Sequence, residues 1–406
     1  MENQDRMTRL VLCLFFMQYI SNLPAQAQTT VDASRGGVTV SSGDNSLTLG
    51  ARAQFRWTAD DREKFDADTA GSGVGVEDCC LNQFDVPRLR VTLGGGVYRP
   101  WMKYSFQFEF SRTSGEGASK IKDAILEIRP ASSHYRITLG QYKAPFGLQQ
   151  LTSSGRQQFV DRAITDGKFT PGRDMGAMLS GTVAGQKIGY AVGAFNGAGE
   201  SMVQRNQSHL WAGRVFINPL RPYSLSEGSG DVDDPVLHLG FGMRGGTQIR
   251  GRTAAGIVQD PDNQTALNAE FAFKSSLAFS TFEYFWMRDE QQNPLASPGI
   301  DSQGYHAQIG FMLIPRTVEV GVRYAEVDGD RNVNAGKLRE IRGVVGYFWR
   351  SHNLKVQADV GQLRYGPNYA LLSSRARQGL PGLGNRLVSG ESLSDVQFRL
   401  QFQVAF

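Results

Sequence analysis

Hydrophobic and polar residues alternate with a period of two along most of the chain. The final segment is the plainest case. Val396, Phe398, Leu400, Phe402, Val404 and Phe406 are apolar, and Gln397, Arg399, Gln401 and Gln403 separate them. A strand sends successive side chains to opposite faces, so this segment carries one apolar and one polar face. The same alternation runs through Leu49–Trp57, Lys103–Ser111, Val318–Tyr324 and Leu354–Val360. It predicts sixteen strands: 47–57, 87–97, 101–111, 121–129, 134–140, 174–183, 187–195, 208–217, 236–245, 265–273, 276–287, 303–313, 316–326, 337–348, 352–361 and 394–405.

So many half-apolar strands need either a second covering layer or a lipid environment. A sheet closed on itself in a bilayer needs no cover and leaves no unpaired edge. The expected fold is therefore all-β: a closed transmembrane antiparallel β-barrel of sixteen strands. An even count returns both termini to one side of the membrane. The connections support this. Alternate ones are short, such as Tyr98–Pro100, Lys274–Ser275 and Ile314–Pro315. The intervening ones are long: 58–86, 112–120, 141–173, 196–207, 246–264, 288–302, 327–336 and 362–393. Bacterial outer-membrane barrels have short periplasmic turns and long outer loops. The 218–235 connection is the exception, a long one where a short one is due; it is expected as a larger periplasmic segment.

The N-terminus reads as an export signal. Arg6 and Arg9 precede the apolar run Leu10–Met17; Pro24 breaks it, and Ala25-Gln26-Ala27 has the form of a cleavage site. This divides the chain into a signal over 1–27, a short periplasmic lead over 28–46 and the barrel over 47–406. Composition agrees with a barrel. The chain is 40% hydrophobic and 20% charged, with 47 glycines among 406 residues. No later segment is long and apolar enough for a membrane-spanning helix. Three cysteines, one of them inside the signal, exclude a disulfide scaffold. The adjacent Cys79 and Cys80 receive no function.

The third outer connection carries the chemistry. It holds Lys143, Arg156, Arg162, Lys168 and Arg173 against Asp161, with Asp166 inside it and Asp174 just beyond. It also holds Phe146, Leu148, Leu151, Phe159, Val160, Ile164 and Phe169. A loop in water has no use for that apolar set. A loop folded into the lumen packs it on the inner wall and leaves its bases to narrow the pore. Guanidinium groups suit oxyanions, and fixed positive charge concentrates counter-ions. Strand positions on the polar face also lean basic: Arg52, Arg56, Arg88, Arg90, Lys103, Arg323, Lys355 and Arg399. Glu109, Glu127, Glu319 and Asp359 oppose them. With a formal net charge of +4, the surplus supports small anions as cargo and no sharper assignment.

Other classes fare worse. The five histidines sit beside no nucleophile motif, so no enzyme, metal or cofactor is expected. The bases form no run with interleaved aromatics, which argues against nucleic acid. The acid-rich 58–86 connection, with Asp60, Asp61, Glu63, Asp66, Asp68, Glu77 and Asp78, reads as a solvated loop near lipopolysaccharide. Two alternatives stay open: a general, weakly selective pore, and a closed barrel used for surface contact. Conductance separates them.

Three stretches carry a resemblance to a known family: Leu139-Gly140-Gln141-Tyr142-Lys143-Ala144-Pro145-Phe146-Gly147, then Phe159-Val160-Asp161-Arg162, then Phe169-Thr170-Pro171-Gly172-Arg173-Asp174-Met175-Gly176. The chain resembles the phosphate-selective porins O and P of Gram-negative outer membranes. That resemblance implies a sixteen-stranded barrel, usually a homotrimer, with the third loop inside and an anion constriction lined by arginine and lysine. The matching bases are Lys143, Arg162 and Arg173, with Asp161 and Asp174 as acidic partners that orient them. Terminal Phe406 resembles the signal read by the barrel assembly machinery.

Overall fold

The computed structural model describes residues 29–32, 37–63, 80–111, 119–130, 134–202, 208–228, 230, 232–248, 262–291, 299–382 and 390–406. The expected export signal lies outside the described residues, as do Asp66, Asp68, Glu77, Asp78 and Cys79.

A short hairpin, β1 (Thr30–Asp32) and β2 (Val38–Ser42), precedes the barrel strands. These are β3 (Asn45–Arg62), β4 (Cys80–Val97), β5 (Arg99–Glu109), β6 (Lys120–Ile128), β7 (Tyr135–Lys143), β8 (Arg173–Val183), β9 (Ile188–Phe195), β10 (Leu210–Ile217), β11 (Val236–Gln248), β12 (Asp262–Lys274), β13 (Ala278–Gln291), β14 (Ile300–Ile314), β15 (Val318–Asp328), β16 (Leu338–Arg350), β17 (Leu354–Tyr365) and β18 (Leu393–Ala405). Each pairs antiparallel with the next, and β18 closes on β3 from Asp395↔Arg62 to Ala405↔Arg52. Ala51 and Phe406 exchange backbone hydrogen bonds of 2.9 and 3.0 Å at the seam. The terminal phenylalanine thus completes the ladder. The hairpin β1–β2 continues the sheet below the seam, with Val38 opposite Leu49.

Burial is inverted relative to a soluble protein. On β16, Glu340 and Arg342 are buried, whereas Ile341 and Val345 are 58% and 52% exposed. Val322, Phe241, Phe282, Ile309, Val360 and Phe402 are exposed on other strands in the same way. Lipid solvates this outer face, and the closed sheet pairs neighbouring strands with one another all the way round. Aromatic clusters mark both ends of the apolar band. Trp57 meets Phe398 with ring centroids 5.5 Å apart at one end, and Tyr347 meets Trp349 at 4.6 Å at the other. Amphipathic rings favour these interfacial depths.

Several strands outrun the alternation that predicts them. β3 extends to Arg62 rather than 57, and β4 begins at Cys80 rather than 87. The ladder continues through Asp60↔Leu81 and Asp61↔Cys80 beyond the apolar band. Hydrogen bonding persists there, but nothing demands an apolar face. For the same reason Lys143 and Arg173, expected in the third connection, are strand residues. They pair with each other as the last rung of β7–β8.

Candidate functional site: a basic passage beside residues 144–172

Two glycines in the left-handed region bracket the third connection, Gly147 at φ 81° and Gly172 at φ 77°. A side chain would strain both. They let the backbone turn off β7 and back onto β8. Between them lie short helices at Leu148–Leu151 and Ile164–Phe169. The apolar side chains of this segment are almost all buried. Phe169 stacks on Phe285 of β13 at 5.2 Å, and Phe146 packs on the same ring at 6.1 Å. Tyr369, Leu372 and Ala376 of the last outer connection join that cluster.

The polar ties of the segment reach strands all around the sheet. Glu283 of β13 accepts from the N–H groups of Leu148 and Gln149 at 2.7 and 2.8 Å. Glu319 of β15 accepts from Gln158 Nε2 at 2.7 Å. On β17, Lys355 donates to the Gln157 carbonyl at 2.9 Å, and Asp359 accepts from the Val160 N–H at 3.2 Å. Arg323 is neutralised by Glu340, donates to the Asp161 carbonyl at 2.9 Å and lies over the Phe159 ring at 4.4 Å. On β3, Arg52 donates to Ser153 and Ser154.

Asp161 is the hub. Its carboxylate meets Arg56 at 2.8 Å, Arg88 at 2.9 Å and Arg399 at 3.0 Å. Arg399 also forks onto Asp359. Burial by itself would raise the Asp161 carboxyl, but Arg56, Arg88 and Arg399 outweigh it and hold it well below the usual carboxylate range.

Beside the segment runs a cavity of about 300 Å³. Arg88, Arg90, Lys120, Lys122, Lys143, Arg162 and Arg173 line it, with Glu109 as its one carboxylate. Toward the long-loop end it adjoins a cavity of about 520 Å³ that shares Arg88 and Arg162. Toward the end bearing the termini it adjoins two more. One, of about 510 Å³, shares Arg90; the other, of about 610 Å³, shares Lys143. The four cavities are joined through these shared lining residues, and the smallest of them is the most basic.

The predicted residues separate on this geometry. Arg88, Arg90, Lys143, Arg162 and Arg173 come together at the small cavity. Arg52 and Arg156 line the cavity on the terminal side, whereas Arg56, Arg323, Lys355 and Arg399 spend their donors on the segment and the wall. Lys168 is buried elsewhere, donating to the carbonyls of Arg375 and Ala376. Lys103 is exposed on β5, opposite Glu127. Asp174 accepts backbone N–H groups of Met175, Gly197 and Gly199 rather than an arginine. Arg173 instead forks onto Asp123 at 2.8 and 3.1 Å.

Lys120 and Lys122 complete the lining and are missed by alternation. The β5–β6 ladder steps from Gln107↔Asp123 to Phe108↔Ile121, leaving Lys122 as the extra residue of a bulge. A bulge breaks the period of two at the position that matters. Lys122 meets Glu200 of the following outer connection at 2.7 Å.

Comparison with known proteins agrees with this architecture. The family model for phosphate-selective porin O and P matches residues 80–369. No curated protein matches the chain. Among solved structures, an anion-selective porin from Comamonas acidovorans is similar at 14% identity and TM-score 0.56, over 89% of this chain and 100% of that one. The outer membrane channel DcaP of Acinetobacter baumannii is similar at 12% identity and TM-score 0.54, over 90% and 99%. The trimer form of OmpT from Vibrio cholerae is similar at 11% identity and TM-score 0.50, over 88% and 99%.

Proposed function

The chain belongs to the phosphate-selective porin O and P family and is an outer-membrane porin of a Gram-negative bacterium, and from that premise we propose that it conducts small anions through a constriction made by the 144–172 segment inside the barrel. One observation carries this reading: the smallest of the four cavities is lined by seven bases and one carboxylate. The reach of the segment supports this position. It bonds to the polar faces of β3, β4, β13, β15, β17 and β18, as a stretch of chain inside a closed sheet would.

Transport is diffusion down a gradient, with no chemical step. An anion enters from the long-loop end, loses part of its hydration at the basic stretch and gains N–H donors in exchange. The contacts must stay weak for the ion to leave. Guanidinium and ammonium donors suit phosphate and other oxyanions alike.

A second reading, a general pore with slight selectivity, draws on the carboxylates beside the bases. Glu109 pairs with Arg90, Asp123 with Arg173 and Glu200 with Lys122. The reversal potential of single channels in a potassium chloride gradient, followed by titration with phosphate, separates the two. Anion preference with phosphate block supports an oxyanion constriction; anion preference without block makes the pore a general anion porin. Cation preference overturns the reading. We further propose a homotrimer, as the comparison with a trimeric neighbour suggests; cross-linking in the membrane tests it.

A further inference from the structure

The 218–235 connection is long where its counterparts are short, and it doubles back from the terminal end onto the constricting segment. Its Glu227 is 2% exposed, and its carboxylate forms no ion pair among the described residues. Instead the carboxylate accepts from Gln149 Nε2 at 3.1 Å, from the Gln158 N–H at 3.0 Å and from Gln308 Nε2 on β14 at 2.9 Å. Its backbone is engaged as well. The Glu227 N–H donates to the Arg156 carbonyl at 2.8 Å, and His352 Nε2 donates to the Glu227 carbonyl at 2.8 Å.

We infer that Glu227 is a positioning residue for the anion constriction, holding the 144–172 segment from the terminal side. A buried carboxylate is costly unless donors surround it. Here two of the donors belong to the segment and one to the wall, so the group joins them. The hold extends to the passage. The side chain of Gln149 touches Glu227 through its amide nitrogen, and its amide oxygen accepts the Ala163 N–H at 2.9 Å. The Gln149 carbonyl accepts from Arg162 Nε at 3.0 Å. Glu227 thus fixes the residue on which the constriction arginine rests. The neighbouring Leu225, with Leu151, lines both terminal-side cavities, so the same connection divides the exit of the passage. This inference rests on the constriction reading above.

The test is Glu227→Gln in the full chain, reconstituted in planar bilayers after heat-modifiable gel mobility verifies a folded barrel. An amide nitrogen then faces donors, and the hold weakens. The expected result is raised open-channel noise together with a fall of about twofold or more in the anion-to-cation permeability ratio; loss of the negative charge alone would raise that ratio, so a fall reports the loosened hold on Arg162. Glu227→Asp recovers part of both. Asp234→Asn, an exposed carboxylate of the same connection paired with Arg221, leaves both unchanged. A folded Glu227→Gln barrel with the parent's ratio and noise overturns the inference. Where that variant fails to fold, Gln308→Ala loosens the same contact from the wall side, and unchanged ratio and noise there overturn it equally. A parent channel without anion preference sinks the constriction reading itself, which keeps the two failures apart.

Discussion

Lys143 and Arg162 converge on one backbone oxygen. The Thr152 carbonyl accepts from Lys143 Nζ at 3.0 Å and from Arg162 Nη2 at 2.8 Å. Lys143 also donates to the Leu151 carbonyl, and Arg162 to those of Gln149 and Gln150. A carbonyl is neutral. It fixes the direction of a cation without cancelling its charge, as a carboxylate would. Among the described residues, Arg162 also has the Asp166 carboxylate at 3.8 Å. Lys143 and Arg162 are therefore held in fixed directions beside the small cavity by neutral carbonyls.

Neutralising either base should cut anion preference directly. At a separation of about 6 Å through water, one charge is worth roughly 0.7 kcal/mol, or about threefold in ion occupancy. Arg162→Gln and Lys143→Met are each expected to lower the permeability ratio by about that factor. Reversal potentials in a salt gradient measure it. An unchanged ratio in both variants would mean that neither base faces the ion path.

Arg173 is a different case because Asp123 forks onto it. Arg173→Gln should lower anion preference and Asp123→Asn should raise it, each by a similar factor. The double variant restores the charge balance and should return to the parent's ratio within measurement error. A double variant that stays cation-shifted would give Arg173 a direct role as an ion ligand.

Asp161→Asn removes the shared counter-ion of Arg56, Arg88 and Arg399. Breaking a buried charge network is strongly destabilising, and the partial exposure of Asp161 moderates the loss, so about 1–3 kcal/mol is expected. The segment should loosen, which open-channel noise and thermal melting of the purified barrel report. The pH dependence follows from the same carboxylate. Its folded pKa is depressed, so its contribution is fully present above the unfolded carboxylate range and is lost only as pH falls through the lower folded value. Acidification from pH 7 to about 4.5 should leave the parent's noise unchanged. A rise in noise over that window would trace the loosening to one of the segment's other carboxylate anchors, Glu227, Glu283, Glu319 or Asp359, and not to Asp161.

The outer face makes its own prediction. Val345 is exposed near the middle of β16. Val345→Arg places a charge in hydrocarbon and should cost about 2–4 kcal/mol at the bilayer midplane. Urea titration of folding into lipid vesicles measures the loss. A difference below about 0.5 kcal/mol would place the residue at an interface or against another copy of the chain.

The barrel was legible because lipid acts on every strand in the same way. Val396–Phe406 and Leu354–Val360 need one apolar face along their whole length, and that demand is written at a period of two. All sixteen expected strands stand in the structure, misjudged chiefly at their ends, where hydrogen bonding outlasts the membrane. The 144–172 segment was recognisable as unusual because Phe146, Phe159 and Phe169 have no place in a solvated loop. Composition could not say which bases face the passage. Lys168 and Arg162 look alike in sequence, yet one is spent on the carbonyls of Arg375 and Ala376 and the other stands at the smallest of the four cavities.

By itself, then, the sequence determined the fold class and the strand count, since both depend on local patterning against a uniform solvent. Only the tertiary structure decided which charges are cancelled and which are free to act. That depends on partners distant in the chain: Asp161 with Arg399, Arg173 with Asp123, Glu227 with Gln308. Periodicity carries no record of such pairs, because they form only when the closed sheet brings opposite walls within reach of one segment.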